Sequence, residues 1–391
     1  MRKHIAAGID IGTHHIKVVI SESDPGSDKL LPKVLGTGVA ESKGLRHGYI
    51  VNGRDTAKSI MQAVASAERS SGVKIKKAYL SMGGVSLQST VSLGSVAISR
   101  ADAEVTQLDL DKATALAERN IPSAQTINRK ILHTVPLSYK IDGKTVMGRP
   151  LGMKGNKLEA KVLFVTCLSQ HLEDLLDALS DAGIEVVDVV ASPLAASLVT
   201  LSKNQKVAGC LLANVGAETV SIVVFENNLP ISLEVFSLGS NDITNDIALG
   251  LKVPIEDAET IKRGGLTTVQ VSKKKLDEII AARLSDVFDL IEAHLKRIDR
   301  NGLLPAGIIL TGGGAALTGV DELAKASLKL PSRIAQFGQG EKGGLKDPAW
   351  SVAYGLTFLG IGTEDATDSG ISKNGKTLAL KIGGWFKQFL P

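Results

Sequence analysis

Only two cysteines, Cys167 and Cys210, occur in 391 residues. Each lies in an apolar, strand-like run, which reads as a buried thiol in a reducing compartment rather than as half of a disulfide or a metal site. Aromatic residues make up just 4% of the chain, as suits a soluble α/β protein. The formal net charge of +4 is small, and no arginine-rich stripe with interleaved aromatics stands out, so a nucleic-acid partner is not expected. No apolar run is long enough to span a bilayer. The residues Met1-Arg2-Lys3-His4 lead into a short strand and not into the apolar region of a signal peptide, which makes the cytoplasm the expected compartment. What is present is length: the chain exceeds what one hydrophobic core usually supports, and two lobes are expected.

The stretch that organises the rest is Ala7-Gly8-Ile9-Asp10-Ile11-Gly12-Thr13-His14-His15-Ile16-Lys17-Val18-Val19. Apolar residues flank Gly12 and Thr13, the pattern of two strands folding back on each other. Glycine at the bend lets backbone amides come close to an anion, and Lys17 adds a point charge. Asp10, at the end of the first strand, could hold a water of a magnesium ion bound to phosphate. His14 and His15 are adjacent, which predicts rings on opposite sides, no metal pair, and a role for their amides instead. An ordinary structural hairpin has the same signature.

A second copy changes that balance. Leu211-Leu212-Ala213-Asn214-Val215-Gly216-Ala217-Glu218-Thr219-Val220 again reads strand, glycine turn, strand. Each hairpin is followed by a third strand (33–40 and 231–236), a helix and a further strand (77–82 and 307–310), so one unit is used twice. Two such units facing each other would bring both turns to one cleft, gripping a polyphosphate from two sides.

This pattern resembles the actin, sugar-kinase and DnaK-type ATPase superfamily. The implied fold is α/β, with actin-like duplicated βββαβα lobes around a nucleotide cleft. The resemblance implies ATP and magnesium as ligands, with Asp10 (through water), Gly12, Thr13, His14, His15, Lys17, Asn214, Gly216, Ala217 and Thr219 at the phosphates. Glu259, Lys262 and Arg263, on neighbouring turns of one helix, match the superfamily's ribose and adenine contacts, although a surface ion pair would look alike. Gly307-Ile308-Ile309-Leu310-Thr311-Gly312-Gly313-Gly314 resembles its adenosine motif, with Gly312, Gly313 and Gly314 allowing close approach. Ser192-Pro193-Leu194-Ala195-Ala196-Ser197-Leu198 resembles the helix linking the lobes, whose small alanines would let two helices cross as a hinge.

Residues 85–160 interrupt the duplication with an alternating strand, a helix opened by the capping box Thr106-Gln107-Leu108-Asp109, and the returning strand Ile131-Leu132-His133-Thr134-Val135-Pro136-Leu137. A small α+β insert is expected, because unstructured loops of this length are uncommon. Its Ile141-Asp142-Gly143 and Pro150-Leu151-Gly152-Met153 segments resemble the insert of the bacterial cell-division FtsA family, with the type IV pilus PilM family as the nearest competitor. The expected division is a first lobe at 1–84 and 161–206, the insert at 85–160, a second lobe at 207–252 and 303–360, and a small subdomain at 253–302. A polar linker at 361–376 and a terminal helix at 377–391 complete it.

In that terminal helix Leu378, Ile382, Trp385, Phe386, Phe389 and Leu390 gather on one face, while Lys381 and Lys387 lie elsewhere. A helix lying in the membrane surface is the expected reading, against docking on the protein's own core. The FtsA resemblance implies self-assembly, FtsZ, other division proteins and the inner leaflet of the cytoplasmic membrane as partners, at the division site. Three departures bear on chemistry. Asn214 stands where a carboxylate is usual, Glu218 puts negative charge near the phosphates, and Ser192 replaces a residue that positions attacking water. A nucleotide-binding scaffold with at most weak ATPase activity is expected, with a true ATPase or kinase as the alternative. The short stretch between Gly265 and Lys273 also leaves little room for the hairpin that relatives carry in the small subdomain where they receive FtsZ.

Overall fold

Unbroken burial along the central strands shows that their sheets are covered on both faces. In the computed structural model, which describes residues 4–23, 32–265, 272–337 and 345–361, β1 (His4–Ile11), β2 (His15–Ser23) and β3 (Lys33–Glu41) form an antiparallel meander. A two-residue ribbon, β4 (Leu45–Arg46) with β5 (Tyr49–Ile50), leads into α1 (Gly53–Ser71). Asn52 caps α1: its Oδ1 accepts from the Asp55 amide at 3.3 Å and its Nδ2 donates to the Asp55 carboxylate at 2.8 Å. Asp55 is thus the reciprocal partner of the Asn52 cap. Gly72 ends α1 in the left-handed conformation. Strand β6 (Lys77–Met82) runs parallel to β1.

The insert follows as β7 (Gln88–Ala97), α2 (Gln107–Arg119), β8 (Arg129–Ile141), β9 (Lys144–Val146) and β10 (Lys157–Leu168). Its sheet has the order β7-β10-β8-β9. The Asp109 carboxylate accepts from both the amide and the hydroxyl of Thr106, closing the start of α2. Gly94 lets α2 lie directly on β7, since a Cβ there would fall 1.9 Å from the Ala113 carbonyl oxygen. Residues 161–168, expected to rejoin the first lobe, belong to this sheet, because β10 pairs with β7 and β8 along its length. Its two faces explain the ambiguity. Leu158, Ala160, Val162 and Phe164 pack under α2, whereas Leu163, Val165 and Cys167 join the first lobe's core.

Next come α3 (Ser169–Asp181), β11 (Glu185–Ala191), α4 (Ser192–Thr200) and α5 (Lys203–Ala208). Ser169 is the first helical residue of α3. The first lobe's sheet has the order β11-β6-β1-β2-β3. The second lobe repeats it with β12 (Cys210–Val215), β13 (Val220–Glu226) and β14 (Leu229–Phe236), then β15 (Ile308–Thr311) and β16 (Ser332–Ile334), in the order β14-β13-β12-β15-β16. Helices α6 (Ser240–Leu251), α7 (Ile255–Lys262), α8 (Lys273–Arg297) and α9 (Val320–Leu328) cover one face. Along β12, Leu211, Ala213 and Val215 pack into the core beneath these helices, while Cys210 and Leu212 join the core shared with the first lobe. Burial on both faces accounts for the unbroken apolar runs. Cys167 and Cys210 are buried free thiols, and burial pushes both up to about 12.

Helix α10 (Ser351–Thr357) returns the chain to the first lobe. Its sequence position suggested the second lobe, yet Val352 and Leu356 are buried in the first lobe's core. Two glycines allow this. A Cβ on Gly355 would lie 1.9 Å from the Ala195 carbonyl oxygen of α4, and one on Gly8 of β1 would lie 2.2 Å from that of Ala353. The expected close crossing of α4 is therefore made, with α10 as its partner. The stretch at 266–271, where little room for a hairpin was expected, lies outside the described residues. So do the terminal helix at 377–391 and all but Ile361 of the linker at 361–376.

Gly355→Ala should destabilise the protein by about 1–3 kcal/mol, since a helix backbone cannot yield as a side chain can. Gly53→Ala, at a helical position with open space around it, should stabilise by about 0.4–1 kcal/mol. Denaturant unfolding checks both, and equal effects of the two would contradict the crossing.

Candidate functional site

The two glycine turns are closed by the same hydrogen bond. The Gly12 amide donates to the His15 carbonyl at 3.2 Å, and the Gly216 amide donates to the Thr219 carbonyl at 2.8 Å. A Cβ at either glycine would fall within 2.9 Å of that same oxygen, so close approach alone requires glycine. Each turn is also held from the end of its third strand. Ser42 donates through Oγ to the Gly12 carbonyl at 2.5 Å and through its amide to His14. In the second lobe the Ser240 amide donates to the Gly216 carbonyl at 2.9 Å and the Asn241 amide to that of Ala217 at 2.8 Å.

Between the turns lies a cleft of about 1340 Å³. Asp10, Gly12, Thr13, His14, His15 and Lys17 line it from the first lobe; Asn214, Gly216, Ala217 and Thr219 from the second. Glu259, Lys262, Arg263, Gly312, Gly313 and Gly314 complete the wall, so all the site residues expected outside the terminal helix come together. The glycine run divides its work. A Cβ on Gly312 would meet Asn214 Oδ1 at 2.3 Å, and one on Gly314 would meet Val215 Cγ1 at 2.3 Å, whereas Gly313 has open space. The outer two pack on β12 and the middle one presents bare backbone to the cleft.

Asp10 is half-buried opposite Lys17 in the hairpin register and accepts a hydrogen bond from Ser81 Oγ at 2.8 Å. Burial raises its pKa, and the Lys17 charge and Ser81 oppose that shift. A cation in the cleft would relieve the same cost. Ser81 was read from the sequence only as part of the strand at 77–82, and Gly83 and Gly84, which line the cleft, and Thr244 were not singled out there, although a strand closing on a glycine pair carried the signal. The Glu259 carboxylate accepts from Lys262 Nζ at 2.6 Å, Thr244 Oγ1 at 2.6 Å and Arg263 Nε at 2.7 Å. Burial works against its ionised form, yet these donors hold it at about 2. Lys262 Nζ also donates to the Ser240 carbonyl at 3.0 Å, tying α7 to the start of α6.

Two expectations need correction. The rings of His14 and His15 do not point apart: their centroids are 4.2 Å apart in an edge-to-face contact, because the backbone bends at Thr13 and His14 instead of running as a strand. Burial lowers both pKa values, helped at His14 by Arg263, whose Nη2 lies 3.3 Å from Nε2, and His15 falls to about 4. Glu218 does not line the cleft. Its carboxylate reaches across to accept the His47 amide at 2.5 Å. Ser192 lines the cleft at the start of α4.

The duplicated sheets, the facing turns and the crossed helices define an actin-like fold. Solved structures agree. The chain is 20% identical to a protein of the PilM-PilN type IV pilus biogenesis complex, with a TM-score of 0.67 over 91% of this chain and 98% of that one. It is 13% identical to MreB5 of Spiroplasma citri bound to ADP, with a TM-score of 0.52 over 91% of this chain and 96% of that one. At such identities the likeness is one of fold. Sequence relatives decide the family. The model for cell division protein FtsA matches residues 211–355, and that for the SHS2 domain inserted in FtsA matches residues 84–166. The chain is 31% identical to cell division protein FtsA of Pseudomonas aeruginosa, over 90% of this chain and 88% of that protein. It is 30% identical to that of Borreliella burgdorferi over 99% of both. The chain belongs to the FtsA family of cell-division proteins.

Because Glu259 titrates near 2 in the folded protein against an ordinary 4.5, its network stabilises the fold fully above pH 4.5 and progressively less as pH falls toward 2. Glu259→Gln should therefore be less stable than the parent at neutral pH, with the gap closing over that window. Unfolding measured at a series of pH values checks this; a gap independent of pH would contradict it.

Proposed function

We propose that the cleft binds ATP with magnesium, and that this FtsA-family protein uses the bound nucleotide to set lobe closure and self-association while tethering FtsZ filaments to the inner leaflet of the cytoplasmic membrane at the division site and recruiting later division proteins. The observation that carries the nucleotide reading is the pair of identically closed glycine turns lining one cleft. Amides beside both turns and Lys17 would hold the phosphates, while Gly313 and the Glu259–Lys262–Arg263 group would take the nucleoside. The half-buried Asp10 carboxylate, which lines the cleft, suits a hydrated magnesium ion. Among the described residues no three His, Cys, Asp or Glu side chains are grouped to hold a metal, so the ion would depend on the phosphates for its remaining ligands.

The departures at Asn214 and Ser192 support a scaffold over an efficient hydrolase. Neither supplies a carboxylate to order metal water or attacking water, and phosphoryl transfer depends on such positioning. Membrane attachment rests on the sequence of the last fifteen residues: no helix among the described residues is long and apolar enough to cross a membrane, and one short amphipathic helix binds reversibly. Many such anchors on one polymer would hold firmly.

A fluorescent ATP analogue should bind in the presence of magnesium, and Lys17→Ala should weaken it by at least an order of magnitude. Full-length protein should co-sediment with anionic vesicles and bring FtsZ with it, whereas protein truncated before residue 377 should not. Brisk substrate-independent turnover would favour the ATPase reading, and truncation without effect on vesicle binding would remove the tether.

A further inference from the structure

The root of the insert is wired into both lobes. At the first-lobe end the tip of the β4–β5 ribbon, His47 and Gly48, rests on Gly84: a Cβ on Gly48 would fall 2.5 Å from the Gly84 Cα. His171 of α3 is buried beneath this contact. Its Nε2 lies 2.7 Å from the Gly48 carbonyl oxygen and its Nδ1 lies 2.7 Å from Ser86 Oγ. A carbonyl can only accept, so Nε2 carries the proton and Ser86 donates to Nδ1. Burial keeps this imidazole from charging by lowering its pKa. Arg129, at the start of β8, donates to the Ser86 carbonyl at 2.5 Å, to Thr166 Oγ1 at 2.9 Å and to the Thr166 carbonyl at 3.1 Å, binding the entry to β7, the start of β8 and the end of β10 into one unit.

Both ends of this unit then reach the second lobe. At one end the His47 amide donates to Glu218, which sits on the second glycine turn. At the other, Ser89 of β7 makes both hydrogen bonds that a strand neighbour would make to Leu233 of β14: its Oγ donates to the Leu233 carbonyl at 2.7 Å and accepts from the Leu233 amide at 2.8 Å. Leu233 is wholly buried in the core that it shares with Leu163 and Val165 of β10.

We infer that the insert is a lever for lobe closure: Glu218–His47 and Ser89–Leu233 are its two cross-lobe ties, His171 and Arg129 make the segment between them rigid, and a change in lobe angle moves the insert relative to the first lobe. The path is a contiguous set of hydrogen bonds between elements that must move apart if the cleft opens. The driver of the movement rests on the ATP reading above; the ties do not.

The test places spin labels on introduced cysteines, since both native thiols are buried. Met147→Cys marks the insert, Lys58→Cys the first lobe and Leu249→Cys the second, all at exposed side chains. Without nucleotide, the Met147–Leu249 distance distribution should be narrow in the parent, broad in Ser89→Ala, and narrow again in Ser89→Thr, which keeps the hydroxyl. Thr90→Ala, which removes a hydrogen bond to Gln125 inside the insert, should leave it narrow. With magnesium and ATP, the Met147–Lys58 distance should shift in the parent together with Lys58–Leu249, and in Ser89→Ala only Lys58–Leu249 should shift. A distribution unchanged by Ser89→Ala, or lobes that close without moving the insert, overturns the lever. Failure of the nucleotide to bind, read separately with the fluorescent analogue, overturns the ATP reading and leaves the nucleotide-free arm to decide the ties.

Discussion

Everything in the cleft depends on one steric allowance, the crossing of α4 and α10. The chain leaves the first lobe through α4 and comes back to it through α10, and the two helices meet where Gly355 lies against the backbone of Ala195. On its other side α10 lies against β1, at Gly8. That same strand ends in Asp10 and the first glycine turn. The packing that joins the lobes is therefore built onto the strand that presents the turn, and any shift at the crossing is felt a few residues away in the cleft.

Given that frame, duplication supplies the rest. Matching hydrogen bonds at Gly12 and Gly216 make two concave backbone turns, and facing them across one cleft produces a site rich in backbone donors. The carboxylate nearest the first turn, Asp10, is half-buried beside a lysine and a serine hydroxyl. Such a site suits a polyphosphate with its metal far better than a neutral substrate. Cross-lobe contacts at His14–Arg263, in the cleft, and at His47–Glu218, outside its lining, are polar, while the helix crossing is close-packed backbone against backbone.

Much of this was legible in the chain itself. The turns could be read because a glycine between two apolar runs has few other uses, and finding it twice in the same order of elements fixed the architecture. Less visible was whatever depends on which of two faces a residue joins. Strand β10 is apolar on both faces because it serves two cores, so its sequence could not say which sheet it pairs with. Helix α10 is buried all round and shows no polar face, and nothing in its pattern points back to the first lobe. The alternation rule failed for His14 and His15 because it holds only for extended chain, and the chain bends there. Glu218 was placed near phosphates by its position in the turn, but its side chain follows the hydrogen bond offered by His47.

The measurement that bears most directly on this account is a structure determined with magnesium and ATP. The phosphates should lie between the Gly12–His15 and Gly216–Thr219 turns, with Lys17 against them and the metal's water shell reaching Asp10. A nucleotide bound outside the cleft, or one touching a single turn while the other stays remote, would contradict it.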